Sequence, residues 1–261
     1  NRGGKQNKMG ICRIDGRELS ELRPITIERA YNRYAEGSAF IKWGNTHVLC
    51  TASVEEKVPP FMRGSGKGWV TAEYSMLPRS THQRMQRDVS KGKLNGRGSE
   101  IQRLIGRSLR AAIDMEKLGE RSILIDCDVI QADGGTRTAS ISAGFVALTE
   151  ALRWLTTNEK IDELPLKAQI GAVSIGKING ETALDLCYEE DSQAEVDANL
   201  IMTSSGDFVE LQGTGEGGVF SRAELDEIVA LGWIGIREIH KIQKDTLNLT
   251  DEEKIIFDAI R

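Results

Sequence analysis

The sequence predicts an α+β fold in which antiparallel hairpins build the sheets and helices pack against them. Three observations carry this. Strand-like runs flank Gly/Asn turns at 37–54 and again at 171–190. An apolar stripe at helical spacing runs from Ile101 to Ile113. Strands and helices do not alternate one for one, which excludes a doubly wound parallel sheet.

The elements follow in order. Ile25-Thr26-Ile27 is β-branched and extended. Gly37–Trp43 and Val48–Val54 flank Gly44-Asn45-Thr46, the signature of a hairpin. A long loop follows. Ser99-Glu100-Ile101-Gln102 has capping-box spacing and predicts a helix start. Ile101, Leu104, Ile105, Leu109, Ala112 and Ile113 form its buried stripe, and Arg103, Arg107 and Arg110 another face. Gly119 is the predicted stop. Ser122–Gln131 reads as a strand with Asp126 and Asp128 on one side, because strand side chains alternate. Asp133-Gly134-Gly135 breaks it, and Thr138–Leu155 reads as a largely buried helix. A second hairpin occupies 171–190. Ser221-Arg222-Ala223-Glu224 again has capping-box spacing and opens a helix through about Gln243. Sliding the chain by 134 positions pairs Gly37 with Gly171, Ile41 with Ile175, Asn45 with Asn179, Glu55 with Glu189 and Glu56 with Glu190. That pattern predicts an internal duplication. Two copies fall short of a solenoid.

Composition narrows the function class. The chain has 261 residues, 39% hydrophobic and 28% charged, which is ordinary for a globular protein. It has no apolar run of membrane-spanning length and no signal-peptide pattern, so a cytoplasmic protein is expected. Cys12, Cys50, Cys127 and Cys187 contain no CxxC pair and are expected to be reduced, mostly buried thiols. The net charge of −5 argues against indiscriminate nucleic-acid binding, but the charge is uneven. Pro78–Arg97 holds Arg79, Arg84, Arg87, Lys91, Lys93 and Arg97 against Asp88 alone. Glu181–Arg261 holds 19 acids and 6 bases. A basic segment facing an acidic one fits a polyanionic ligand with metal-binding carboxylates.

Three places can carry chemistry. Gly134-Gly135-Thr136-Arg137-Thr138 joins a strand to a helix, whose first N–H groups lack intrahelical partners. Glycines allow close backbone approach, and Thr136 and Arg137 add donors suited to phosphate. The alternative is a tight turn with a surface arginine. Asp185–Asp197 carries six carboxylates in thirteen residues. A bend after Tyr188 would bring Asp191 and Asp197 together for a hard divalent cation. The alternative is a solvated acidic loop. The 78–97 loop suits a basic strap on RNA backbone, with His82 as a phosphate contact or a bystander; a ligand-free loop is the alternative. Gly213-Thr214-Gly215-Glu216-Gly217-Gly218 satisfies GxGxxG only formally, since the helix starts too late. Gly64-Ser65-Gly66-Lys67-Gly68 lacks the Ser or Thr of a Walker lysine, and no GxSxG elbow supports a serine hydrolase.

Several segments together resemble the bacterial ribonuclease PH family, phosphorolytic 3′-exoribonucleases that trim tRNA precursors. They include Arg13-Ile14-Asp15-Gly16-Arg17, Leu22-Arg23-Pro24, Ala35-Glu36-Gly37-Ser38, Gly68–Tyr74, Met76–His82, Glu100–Arg107, Glu190-Asp191-Ser192 and the long run Asp126–Ser140. The likeness covers about residues 12–245. It implies a single domain over 12–247, a duplicated βαβ-type unit with halves at about 25–157 and 158–247. Residues 1–11 would be a flexible arm and 248–261 a C-terminal tail. It further implies inorganic phosphate bound by Arg97, Gly135, Thr136 and Arg137, and Mg²⁺ or Mn²⁺ held by Asp191 and Asp197, which support catalysis. Arg79, Arg84 and Arg87 would contact tRNA. The assembly would be a homohexamer, a trimer of dimers. Gly98-Ser99 and Gly215 depart from the family's usual residues. The rival expectation is a non-catalytic RNA-binding ring subunit of an exosome-like assembly, which would keep the basic loop but lose the phosphate cradle or the aspartates.

Overall fold

The computed structural model describes residues 13–87 and 96–260. The arm at 1–11, Cys12, and Asp88, Lys91 and Lys93 of the basic segment lie outside the described residues. The fold is mixed α/β with two sheets. The first sheet holds β1 (Ile25–Arg29), β2 (Gly37–Trp43), β3 (Thr46–Glu55), β4 (Trp69–Met76) and β5 (Ser122–Gln131) in the order β1-β2-β3-β5-β4. The second holds β6 (Ile170–Ile178), β7 (Glu181–Leu184), β8 (Val196–Thr203) and β9 (Phe208–Gly215) in the order β7-β6-β8-β9.

Both predicted hairpins form, with Ile41 opposite Val48 in the first and Gly176 opposite Ala183 in the second. The 134-residue offset lays β2 on β6 and β3 on β7. The sheets then continue differently, through β3 in the first and β6 in the second. β4 is a strand inside the stretch expected to be loop. Its signal was the alternation in Trp69-Val70-Thr71-Ala72, with Val70 and Ala72 buried. It runs parallel to β5, and helix α1 (Gly96–Ala111) lies between the two in the chain, so β4-α1-β5 is a βαβ crossover.

Helix α1 corrects two expectations. It begins at Gly96, so Ser99 lies inside the first turn and is not the cap. A capping preference is worth only about 1 kcal/mol, little against packing on β4. It ends at Ala111, where Ala112 and Ile113 turn into the core and the Ala112 carbonyl accepts from the Lys167 N–H at 2.9 Å. Gly119, at φ 68°, instead ends the short α2 (Met115–Leu118), which Asp114 caps.

Helix α3 (Thr136–Thr157) lies between the sheets. Its residues from Thr138 to Leu155 are buried nearly all round, which is why the sequence there is small and apolar rather than striped. Ser142 Oγ donates to the Ala172 carbonyl of β6. Helix α5 (Arg222–Leu247) covers the other face of the second sheet. A Cβ at Gly232 would strike Leu200 and Ile175, and one at Gly235 would strike Leu184 and Val173. The Ser221–Glu224 capping box forms as predicted, and the helix runs four residues past Gln243. The segment the sequence marks only as a C-terminal tail contains α6 (Asp251–Ala259). Phe257 is buried there against Phe145, and Glu253 pairs with Arg153 at 2.6 Å. Cys50 and Cys127 are opposed across β3 and β5 as buried free thiols. No helix among the described residues is long and apolar enough to cross a membrane.

Candidate active site

A cleft of about 810 Å³ opens where the C-terminal end of β4, the start of α3 and the strands β6 and β8 meet. Four separate stretches supply the residues singled out from the sequence. Arg97 comes from α1, Gly135, Thr136 and Arg137 from the glycine turn, Asp191 from the short α4 (Tyr188–Asp191), and Asp197 from β8. All six line this one cleft.

The glycine turn is fixed from behind. Gly134 and Gly135 have φ of 75° and 67°, left-handed values that favour glycine. At Gly134 a Cβ would also lie 2.7 Å from the Leu186 carbonyl oxygen. Arg23 is buried and donates to the Asp133 and Gly134 carbonyls. The same guanidinium pairs with Asp185 at 2.7 Å, and Asp185 also accepts from Trp43 Nε1 at 2.8 Å. Thr46 Oγ1 donates to the Gly134 carbonyl at 2.6 Å and accepts from the Asp133 N–H at 2.9 Å. Burial alone would make the Arg23 charge costly. The Asp185 carboxylate outweighs this, and the guanidinium pKa is raised.

The turn presents donors to the cleft. Among the described residues no side chain caps α3, so its first N–H groups have neither an intrahelical nor a capping partner there. Thr136 Oγ1 shares a 2.8 Å hydrogen bond with Tyr74 Oη. Ser174 is buried at 6% exposure, lines the cleft, and its hydroxyl has no hydrogen-bond partner among the described residues. A buried, unpartnered donor beside an uncapped helix start is what an anion site requires. Arg137 donates to Gln212 Oε1 at 3.1 Å, Gln212 donates to Glu210, and Glu210 pairs with Arg107 at 2.7 Å. Strand β9 thus holds Arg137 from the side.

The carboxylates Asp191 and Asp197 line the same cleft. Burial raises the Asp191 pKa, against the lowering effect of Arg97 and Arg137. Burial and the neighbouring Asp191 charge push Asp197 up to about 6. Two crowded carboxylates with raised pKa values suit a hard cation, and Mg²⁺ takes one or two protein carboxylates together with substrate phosphates. No group of three or more His, Cys, Asp or Glu among the described residues is arranged to hold a metal, so the candidate donor set is this pair.

The acidic run therefore divides. Asp185 and Glu190 are buried structural partners, and Glu190 pairs with Arg13 at 2.6 Å. Glu189 and Glu195 are exposed. Only Asp191 and Asp197 face the cleft. Of the 78–87 strap, Thr81, His82, Gln83, Met85 and Gln86 line it. Arg79, Arg84 and Arg87 are exposed and do not, although the Arg87 charge is felt at Asp128. Gly213-Thr214-Gly215 lies within β9, with Thr214 opposite Asp197, so it is sheet and not a dinucleotide loop. Sequence reasoning gave no role to Ser174, Tyr74 or the Arg23–Asp185–Trp43 hub. Arg23 and Tyr74 sit inside the resembling segments. Nothing in the sequence marks Ser174, whose position depends on β6 passing behind the turn.

Comparison with known proteins gives a consistent result. Residues 21–153 match the 3′ exoribonuclease family, domain 1, and residues 168–234 match domain 2 of the same family. The fold is similar to rice (Oryza sativa) Rrp46 at TM-score 0.73 and 22% identity, covering 90% of this chain and 100% of that one. It is also similar to a chain of the Archaeoglobus fulgidus exosome with RNA bound to the active site, at TM-score 0.74 and 21% identity, covering 88% and 91%. An archaeal exosome core gives TM-score 0.70 at 22% identity, covering 89% and 91%.

Proposed function

The chain belongs to the 3′ exoribonuclease family, and on that premise we propose that it is a phosphate-dependent 3′-to-5′ exoribonuclease. One observation carries the reading. An anion cradle and a carboxylate pair, drawn from four separate stretches of the chain, line the same cleft.

In this mechanism the uncapped N–H groups of α3 and the Ser174 and Thr136 hydroxyls hold the oxygens of inorganic phosphate. Arg137 and Arg97 balance its charge. A phosphate oxygen attacks the last phosphodiester, the bond to the 3′-oxygen of the preceding nucleotide breaks, and a nucleoside diphosphate leaves. A phosphodiester is exchanged for a phosphoanhydride, so the step is readily reversible and also adds nucleotides. Asp191 and Asp197 would hold Mg²⁺ or Mn²⁺, which supplies charge neutralisation at the reacting phosphate. Two anions must meet, so positioning and neutralisation by the cradle dominate. The substrates we propose are tRNA precursors and other RNA 3′ ends, with Arg79, Arg84 and Arg87 on RNA outside the cleft. The protein would act in the cytoplasm as a homohexamer, a trimer of dimers.

The solved structures favour a second reading. Two of the three are exosome structures, which supports a subunit of an exosome-like ring, and the alternative is that it binds RNA without cleaving it. Against the non-catalytic form stand the cradle and both aspartates. One assay separates the readings. The protein is incubated with Mg²⁺ and a 3′-extended, end-labelled tRNA, with and without phosphate. Nucleoside diphosphates released only with phosphate support the enzyme. Monophosphates without phosphate mean hydrolysis and overturn the roles of Arg97 and Arg137. Bound RNA without release selects the ring subunit. Undiminished activity of Arg137→Ala at low phosphate would remove that residue from the cradle.

A further inference from the structure

We propose that Tyr188 and His82 form a clamp for the terminal nucleobase of the RNA, a subsite distinct from the phosphate cradle. The proposal rests on reading the cleft as an RNA 3′-end site. The two rings approach each other from different segments, Tyr188 from the first residue of α4 and His82 from the strap after β4. Their centroids are 6.5 Å apart and their planes are inclined by 52°. Stacked bases lie about 3.4 Å apart, so a base between two rings needs about 7 Å, and a modest ring rotation opens that slot.

Tyr188 is held in an unusual way. Its backbone N–H donates to Asp133 Oδ1 at 3.2 Å, and its nitrogen sits against Gly134, where a Cβ would come within 3.0 Å. The main chain is thus fixed on the anion turn, while the side chain is 54% exposed and its hydroxyl makes no hydrogen bond among the described residues. A pinned backbone carrying an unpacked aromatic ring is a ready stacking platform. Position matters too. Tyr188 and Asp191 are three residues apart on one helical turn and share a face. A base on Tyr188 would carry its own 5′-phosphate toward the carboxylate pair. Met76 and Met85 line the same cleft and give it an adaptable apolar wall. Every base has a π-face, so the clamp would hold any terminal nucleotide without reading its edge.

The test uses the full chain and an RNA carrying fluorescent 2-aminopurine as its 3′-terminal base, with phosphate omitted and divalent metal chelated, so that binding is read without turnover. Stacking quenches the fluorescence. Wild type and Tyr188→Phe are expected to quench it alike, and Tyr188→Ala to lose most of the quenching. His82→Ala, in a different segment, is expected to weaken it, which tests the clamp apart from any folding defect of Tyr188→Ala. In turnover, Tyr188→Ala should raise KM for RNA about 10-fold and leave KM for phosphate unchanged. Full quenching in Tyr188→Ala, no quenching in wild type, or an equal rise in KM for phosphate would overturn the clamp. Quenching as expected with no phosphate-dependent release would overturn the phosphorolysis reading and leave the clamp standing.

Discussion

Two carboxylates of the acidic run, Asp185 and Asp197, lie twelve residues apart and meet opposite fates. Asp185 is 1% exposed and accepts from Trp43 and from both the backbone and the guanidinium of Arg23. Asp197 faces a cleft, crowded by Asp191, and its pKa rises to about 6. The first carboxylate has its charge satisfied by the fold. The second lines a cleft beside another carboxylate. Composition cannot separate them, because the residue type is the same and only the partners differ.

The difference can be broken from either side. The largest effect is expected at Asp197. Asp197→Asn should lower phosphorolytic turnover by about 10² to 10³-fold, because it removes half of the proposed cation site. The same variant should not melt earlier. Measuring turnover and thermal stability on one preparation checks both, and a stability loss would place Asp197 with Asp185.

Asp185→Ala should do the reverse. It leaves Arg23 charged and buried without its partner and releases the glycine turn. A loss of about 3–5 kcal/mol of folding stability is expected, read by urea denaturation. An Asp185→Ala protein as stable as wild type would show that the hub is dispensable.

Acid sharpens the contrast, because the signs differ. Arg13 holds the Glu190 pKa below its ordinary value against the opposing effect of burial. The unfolded chain takes up that proton first, so this stabilisation is present above the unfolded carboxylate pKa and is lost as pH falls through the folded value. Asp197 behaves oppositely. The folded protein takes up its proton first, so in metal-free protein this site gains stability as pH falls from above 6 toward 4. Allowing for solvent screening, the gain is about 1–2 kcal/mol, and it should vanish in Asp197→Asn. A pH series of metal-free melting curves on the two proteins checks it.

The smallest effect is expected at Ser174. Ser174→Ala removes one unpartnered donor from the cradle and should raise KM for phosphate by about 2- to 10-fold, with KM for RNA unmoved. An unchanged phosphate dependence would make Ser174 a buried hydroxyl without a ligand.

Much of this was legible in the chain, for definite reasons. The Gly44-Asn45 turn announced the first hairpin because glycine and asparagine tolerate the left-handed backbone, and both hairpins form. Helix α3 followed from the glycine break and a long run of small and apolar residues. Gly134 and Gly135 announced a close backbone approach, and their φ values require it. Other features depended on distant parts of the chain. Ser99 looked like a cap, but the helix starts at Gly96. Strand β4 was hidden in an expected loop, because its parallel partner β5 lies some fifty residues later. The C-terminal helix α6 showed no motif, and it is held by Phe257 on Phe145 and by Glu253 on Arg153.

The sequence by itself determined the local elements whose causes are local: turn residues, the Ser221 cap, the helical stripe of α1 and the uncapped glycine start of α3. Residue type also singled out Arg137, Asp191 and Asp197, and the family resemblance added Arg97, all of which the cleft brings together. Only the tertiary structure decided which carboxylates are paired and which line the cleft, that Ser174 sits behind the turn, and that Tyr188 lies beside His82. Those are properties of pairs far apart in the chain. A charge, a hydroxyl or a ring acquires its role from the groups within a few ångströms of it, and folding alone chooses them.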